Sequence, residues 1–231
     1  MEIINTTNKE LTGIYSEIID KENIVVVDDF FSKEYVLIFR NKIFEFFRKT
    51  EQLKDIDYKN ISSLDNMNFW KLERGVSKMQ KSLHSFFSYF INCPEILPDE
   101  LRKDFEYISD KLTNFHAEIT HSRNLKANTK YRPQLIQYHK GGGFFSPHYH
   151  SLEPMKIGVI LSLSEAGIDY HTGGNGFENS KGEFVSLSNE MKPGSLCLFK
   201  YSLKHWVEPT DIDQPFSDSN DGRWSMVIPI Y

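Results

Sequence analysis

The stretch that decides the fold is QLIQYHKGGGFFSPHYH, residues 134–150. It contains two short runs rich in apolar and aromatic residues, Gln134–His139 and Phe144–His150, and glycines separate them. Runs of this kind between turn residues are typical of β-strands. The stretch therefore predicts two consecutive strands, the second of which carries a pair of histidines.

Similar β-rich runs fill the rest of the chain after Asn128, and Gly, Pro, Asn and Asp residues interrupt them. Strands at such spacing predict an antiparallel sandwich or barrel. The further predicted strands are Lys156–Ser162, Phe184–Leu187, Ser195–Tyr201, Lys204–Val207 and Trp224–Tyr231.

The first half of the chain has a different pattern. The run NIVVVDDF at Asn23–Phe30 predicts a strand. Apolar residues at helical spacing predict three helices, the first of them capped by Ser32. The predicted helices are Lys33–Thr50, Val76–Phe90 and about Asp99–Phe115.

Helices followed by strands indicate an α+β fold in which the helices pack on the outside of a sheet. No linker of Gly, Ser or Pro separates the halves. We therefore predict a single domain over residues 1–231, with the N-terminal strand and supporting helices in 1–127 and the β-rich core in 128–231.

The composition excludes several classes of protein. With 231 residues, 39% apolar and 14% aromatic, the chain can bury a large core, which excludes a disordered chain. The net charge of −5 gives no basic surface for nucleic acid or an anionic membrane. The two cysteines, Cys93 and Cys197, are too few for a disulfide framework and are predicted to be buried thiols. No signal peptide or membrane span is visible, so we expect a cytoplasmic protein.

Three histidines of the β-rich half form a candidate metal site. His148 and His150 stand at i and i+2, which point to the same face of a strand. His205 lies on a later predicted strand that a curled sheet can bring alongside. Three facing imidazoles would leave open positions on a metal for a substrate and dioxygen. The alternative is that the three are hydrogen-bonded residues of an ordinary core.

Arg223 and Ser225 form a candidate anion site, because alternation on the last strand puts both on one face. A guanidinium offers a carboxylate two parallel hydrogen bonds, and a serine adds a third donor. The alternative is an arginine at the rim of an edge strand. The remaining histidines are ranked lower: His139 and His171 as second-rank candidates, and His84, His116 and His121 as structural residues.

At this point the sequence resembles the Fe(II)/2-oxoglutarate-dependent dioxygenases, in particular their prolyl-hydroxylase-like branch. The resemblance covers most of the chain, and the order and spacing of its pieces carry it. The matching segments are Asn23–Phe47, Gln134–Tyr138, Gly141–Phe144, Pro147–His150, Thr172–Phe177, Pro193–Phe199, His205–Pro209 and Gly222–Ser225.

The resemblance implies a double-stranded β-helix, or jelly-roll, core with the N-terminal helices outside its major sheet. It implies Fe(II) bound by His148, His150 and His205, and 2-oxoglutarate bound through its far carboxylate. The residues implied for that carboxylate are Arg223, Ser225 and Tyr138. The implied reaction converts 2-oxoglutarate to succinate and CO2 and hydroxylates a C–H bond of a small-molecule or amino-acid-like substrate.

One position departs from the family, which usually has a carboxylate where this chain has His150. Three neutral imidazoles would leave the iron at +2 and hold an anionic co-substrate more strongly. Alternatively, Glu153 or Asp169 supplies the carboxylate, or the chain is a non-catalytic relative. Two other functions stay open: a three-histidine cupin-type dioxygenase or isomerase, and a jelly-roll binding module.

Other residues are candidates for the surroundings of the site. Aromatic residues and a histidine that flank the metal motifs are expected to shape a substrate pocket or to serve as packing: Tyr149, Tyr170, His171 and Trp206. Two long polar segments, Lys54–Asn68 and Pro209–Gly222, are candidate lids. The sequence does not specify the oligomeric state.

Overall fold

The computed structural model describes residues 1–7, 13–50, 67–77, 81–120, 133–188 and 191–228. The helices are α1 (Ile14–Ile19), α2 (Lys33–Arg48) and α3 (Asp99–Ile119), with a 3-10 turn at Pro94–Ile96. The strands are β1 (Ile3–Thr7), β2 (Ile24–Asp28), β3 (Asn68–Val76), β4 (Leu83–Ile91), β5 (Gln134–Tyr138), β6 (Gly143–His148), β7 (Ile157–Ser162), β8 (Asn175–Glu178), β9 (Phe184–Leu187), β10 (Leu196–Lys200), β11 (Lys204–Thr210) and β12 (Arg223–Val227).

The strands form two layers that share β4. One layer has the order β1-β2-β10-β7-β12-β5-β4, and the other has the order β4-β6-β11-β8-β9. The end of β4 pairs with β5, whereas its beginning pairs with β6, so β4 passes from one layer to the other. Strands β5 to β12 are thus divided between two facing antiparallel layers, which is the predicted double-stranded β-helix.

Helices α2 and α3 cover the outside of the larger layer, as predicted. The Ser32 hydroxyl caps α2 by accepting the Tyr35 N–H. One stripe of each helix is buried in a single core with strands of this layer. The buried stripes are Val36, Phe39, Ile43 and Phe47 on α2, and Leu101, Phe105, Ile108 and Leu112 on α3.

The helix predicted over Val76–Phe90 is wrong, because this region belongs to the β3–β4 hairpin. In β4, Phe86 packs between the two layers, whereas Phe87 and Tyr89 pack in the core under the helices. Both faces of the strand are therefore buried, and the alternation that would have indicated a strand is lost. Strands β1 and β3 and helix α1 were not predicted either.

The remaining predictions about the fold differ in outcome: some agree with the structure, and others concern features that it does not test. Cys93 and Cys197 are buried free thiols, as expected. The N-terminal half contributes strands β1 to β4 as well as helices, and the single-domain assignment stays a prediction. The candidate lid Lys54–Asn68 lies outside the described residues except at its end, where Asn68 begins β3. His121 also lies outside them. No helix of the described ranges is long and apolar enough to cross a membrane.

The space between the layers is lined by alternate residues of the facing strands. On β12, Trp224 and Met226 belong to the core under the helices, so Arg223 and Ser225 face the opposite side, between the layers. On β11, Val207 packs in the core between the layers, and His205 lies on the same face. The fold therefore brings the predicted histidine and arginine into one interior.

Candidate metal centre

The three predicted histidines converge. His148 ends β6 and pairs in register with His205 at the start of β11, while His150 follows two residues beyond the strand. One nitrogen from each ring can be chosen so that all three lie within 4.8 Å of one another. This arrangement is the three-point face that a metal with open coordination positions requires.

Hydrogen bonds fix which nitrogen of two of these rings can bind a metal. Nδ1 of His148 lies 2.9 Å from the Ser146 carbonyl oxygen, and Nδ1 of His205 lies 2.8 Å from that of Leu203. A carbonyl oxygen can only accept, so each Nδ1 carries the proton and donates it. The lone pair of each Nε2 is therefore left for the metal.

His150 is held differently. Its ring stacks on that of Tyr201, with centroids 4.4 Å apart and an interplanar angle of 6°. Throughout the described ranges, no hydrogen bond reaches the His150 imidazole. The third ring of the centre is thus held by an aromatic contact.

All three imidazoles are neutral at pH 7. Burial lowers the pKa of His148 and takes the pKa of His205 well below its ordinary value. Burial, and then the proximity of His148, lower the pKa of His150 to about 4. Because a metal binds the unprotonated ring, no proton has to be displaced at neutral pH.

Aromatic rings surround the centre. Phe145 stacks on His148 at a centroid distance of 4.0 Å, and Phe199 lies 4.8 Å from His205. Phe177 packs behind His205 at 6.4 Å. An apolar shell of this kind limits the access of water and lowers the local dielectric constant.

Arg223 is a buried cation without a counter-ion. Its side chain opens β12, is 4% exposed and lies 5.6 Å from the Tyr138 ring. Within the described part of the chain, its Nη1 has no hydrogen-bond partner and no carboxylate forms an ion pair with it. A buried, unpaired charge is costly, so this position suits an anionic ligand.

Two hydroxyl groups accompany the guanidinium. Ser225 follows at i+2 on the same face of β12 and is 3% exposed. Tyr138 pairs with Arg223 in the β5–β12 ladder. Burial raises the pKa of Tyr138 to about 12, so its phenol remains a donor at neutral pH. Ser225 and Tyr138 therefore lie on the strand face of Arg223, and their role in binding a carboxylate stays a prediction.

Asn175 is a candidate that the sequence did not identify. It begins β8, pairs with Val207 and is 2% exposed, and among the described residues its Nδ2 has no hydrogen-bond partner. Phe177, two residues later, packs against His205, so alternation turns Asn175 toward the same interior. The available signal was a polar residue within the Gly-rich segment that precedes Phe177.

The carboxylates proposed as substitutes for His150 lie elsewhere. Asp169 forms a 2.7 Å ion pair with Arg40, and Glu153 has a largely exposed side chain near Lys156. Neither belongs to the cluster of possible metal ligands in the described residues. The three histidines are therefore the ligand set that the geometry supports.

The residues that flank the metal motifs, which were expected to shape a substrate pocket or to serve as packing, have different environments. Tyr149 is exposed, Tyr170 is buried, and the partly buried Trp206 packs on Phe184. The backbone N–H of His171 donates to Asp211, while its ring is largely exposed.

The histidines ranked lower also differ from one another. His139 is hydrogen-bonded to Ser85 and to the Lys140 carbonyl oxygen, and the His116 ring to two backbone carbonyls. His84 packs against Phe145, and its Nδ1 has no hydrogen-bond partner in the part of the chain that the structure describes.

The candidate lid Pro209–Gly222 is tied to its surroundings. Asp211 accepts the N–H groups of His171 and Thr172, and Asp218 pairs with Arg48 of α2. These contacts fix where the segment lies, and its role as a lid stays a prediction.

Comparison with solved structures identifies the fold. A prolyl-4-hydroxylase from Pseudomonas putida superposes with a TM-score of 0.61 over 94% of this chain and 96% of its own, at 13% identity. The chain has the fold of the Fe(II)/2-oxoglutarate oxygenases.

Three further structures have this oxygenase fold. A prolyl hydroxylase from Trichoplax adhaerens, in complex with a peptide fragment of the hypoxia inducible factor oxygen degradation domain, gives a TM-score of 0.59 at 10% identity, covering 95% of this chain and 90% of its own. A 2OG-Fe(II) oxygenase family protein from Burkholderia pseudomallei gives a TM-score of 0.55 at 13% identity, covering 99% of this chain and 93% of its own. The α-ketoglutarate-dependent epimerase SnoN of nogalamycin biosynthesis gives 0.58 at 7% identity, covering 96% and 83%. No family model and no curated protein matches the sequence. At these identities the likeness establishes the oxygenase fold, and the chemistry rests on the site.

Proposed function

We propose that this protein is an Fe(II)- and 2-oxoglutarate-dependent oxygenase that hydroxylates a C–H bond of a small-molecule or amino-acid-like substrate. The observation that carries the proposal is one interior that holds both the histidine cluster and a buried, unpaired Arg223. A metal face and a carboxylate-binding cation are the two parts that such a reaction needs.

The residues fit the metal. His148, His150 and His205 offer three neutral nitrogen ligands, which suit Fe(II) and leave positions open. When bound, the iron supplies the activation of dioxygen that couples decarboxylation of 2-oxoglutarate to oxidation of the substrate. The protein holds the ligands and keeps water away through the surrounding aromatic rings.

The residues also fit the co-substrate. Arg223 offers two parallel hydrogen bonds to the far carboxylate of 2-oxoglutarate, and Ser225 and Tyr138 add hydroxyl donors. Three neutral ligands leave the full +2 charge on the iron, which strengthens its attraction for the dianionic co-substrate. A cupin-type enzyme has no evident use for Arg223, whereas a passive binding module would differ in giving no turnover of 2-oxoglutarate.

The experiment is an anaerobic titration followed by an assay of turnover. Fe(II) with 2-oxoglutarate should give a weak visible charge-transfer band, and admission of air should release succinate. His205→Ala should abolish the band, whereas His150→Asp should keep the metal. Iron binding without succinate release, in the presence or absence of candidate substrates, would favour a non-catalytic binding module.

The substrate class is argued from the solved structures that share the fold. Two of them are prolyl hydroxylases, one in complex with a peptide fragment. Prolyl peptides are therefore the first candidates, and they should increase succinate release above the uncoupled rate. Hydroxylation is the proposed outcome, although an epimerase shares the fold.

A further inference from the structure

The three candidate ligands differ in how they are held. His148 and His205 lie within paired strands, and each ring donates Nδ1–H to a carbonyl oxygen. His150 lies beyond the end of β6, and its ring has no hydrogen bond within the part of the chain that the structure describes. Neither the strand ladder nor a hydrogen bond therefore orients this imidazole.

The Tyr201 ring makes the contact that orients the His150 imidazole. The two rings are nearly parallel, at 6°, and their centroids are 4.4 Å apart. Both nitrogens of an imidazole lie on the edge of its ring, so stacking on the face fixes the ring plane and leaves the lone pair available. We infer that Tyr201 is the positioning residue for His150, an inference that rests on the proposed metal centre.

The position of Tyr201 is itself well determined. Its backbone N–H donates to the Lys156 carbonyl oxygen at 2.9 Å, and its ring packs against the interior core beside Phe199. Lys156 ends the segment that leads from His150 back to the sheet, because β7 begins at Ile157. Tyr201 thus contacts both ends of this segment, one through its ring and the other through its backbone.

A second aromatic contact in the same site serves as a matched control. Phe145 stacks on His148 at 4.0 Å and 23°. His148 is also held by its hydrogen bond to Ser146, so loss of the Phe145 ring should matter less. The comparison separates an aromatic contact that alone orients a ligand from one that only reinforces a hydrogen bond.

The test measures the anaerobic dissociation constant for Fe(II) alone. Tyr201→Leu should weaken binding by about tenfold, the lower end of the range for lost partners of metal ligands. Tyr201→Phe keeps the stack and should bind within about twofold of the parent. Phe145→Leu should lose less than Tyr201→Leu. The visible spectrum of Co(II) should change with Tyr201→Leu and be restored with Tyr201→Phe.

Four results would overturn the inference. Tyr201→Leu could bind Fe(II) as well as the parent, Tyr201→Phe could be as weak as Tyr201→Leu, or Tyr201→Leu could weaken binding equally in a His150→Ala background. A loss for Phe145→Leu as large as that for Tyr201→Leu would also contradict it. Failure of the parent protein to bind Fe(II) is a different result, which refutes the proposed function instead. Circular dichroism of each variant excludes unfolding as the cause.

Discussion

At the scale of single residues, the role proposed for Arg223 gives the most specific prediction. Arg223→Ala should raise the concentration of 2-oxoglutarate needed for half-maximal succinate release by roughly 10- to 150-fold, because a charge-assisted hydrogen bond contributes about 1.5–3 kcal/mol. Fe(II) binding without co-substrate should be unchanged. Arg223→Lys should recover part of the loss, since an ammonium keeps the charge without the planar pair of donors. An unchanged requirement for 2-oxoglutarate in Arg223→Ala would refute the assigned role.

Asn175 gives a second prediction at this scale, because its buried Nδ2 has no partner in the described ranges and strand alternation turns the residue toward the same interior. Asn175→Ala should raise the 2-oxoglutarate requirement by roughly 2- to 10-fold, the contribution of about one neutral hydrogen bond. Asn175→Asp should be worse, because a carboxylate would repel the dianion. Succinate assays at varied 2-oxoglutarate measure both effects. Equal activity of the parent and Asn175→Asp would contradict a contact with the co-substrate.

The sequence predicted those site residues whose chemistry and spacing are both unusual. Arg223 and Ser225 alternate on one strand, so their common face can be assigned without a structure. His148 and His150 were predicted to alternate on a strand over Phe144–His150, but β6 ends at His148, so the i and i+2 spacing brought the two rings together without a strand at His150. Asn175 and Tyr201 carry no such signal. The importance of these two residues depends on which residues of other elements lie opposite them, and the tertiary fold determines this arrangement.

At the scale of elements, the helices and strand β4 show when hydrophobic periodicity predicts secondary structure correctly. Helices α2 and α3 each bury one stripe, and both were predicted to within a few residues. Strand β4 buries both faces because it lies between the helices and the second layer. Its aromatic residues therefore matched a helical spacing by chance, and the pattern alone does not distinguish the two structures.

An ion pair between elements leads to the third prediction. Arg40 of α2 binds Asp169, and the Asp169 carbonyl oxygen accepts the Gly222 N–H immediately before Arg223. Asp169→Asn would leave a buried cation unpaired and should cost about 3 kcal/mol of the free energy of unfolding. It should also raise the 2-oxoglutarate requirement, because the ion pair positions the backbone of residue 169, whose carbonyl oxygen holds the start of β12.

The matched control is an exposed ion pair of the same helix, between Arg48 and Asp218. The Asp218 side chain is 68% exposed, so Asp218→Asn should cost less than about 1 kcal/mol. Urea unfolding of both variants gives the comparison. Equal losses of stability would mean that the Arg40–Asp169 pair is no more important than a surface contact.

At the scale of the whole molecule, the fold keeps several imidazoles neutral in its interior. His116 on α3 is fully buried and is hydrogen-bonded to the Met155 and Ile157 carbonyl oxygens. Burial lowers its pKa below the ordinary value of 6.5, and burial likewise lowers the pKa of His139. These two rings belong to neither the metal face nor the anion site, so they report on the fold itself.

The fourth prediction follows from the sign of these shifts. A histidine whose pKa is lower in the folded state binds more protons when unfolded, so it destabilises the fold as pH falls below about 6.5. The metal-free protein should therefore have a nearly constant free energy of unfolding between about pH 7.5 and 8 and lose stability toward pH 5.5, by up to about 1.4 kcal/mol per pH unit for each such group. Urea unfolding in the presence of a chelator measures the slope. His116→Gln keeps a donor for the two carbonyls and should make the slope shallower, whereas a parent protein equally stable at pH 7.5 and pH 5.5 would contradict the argument.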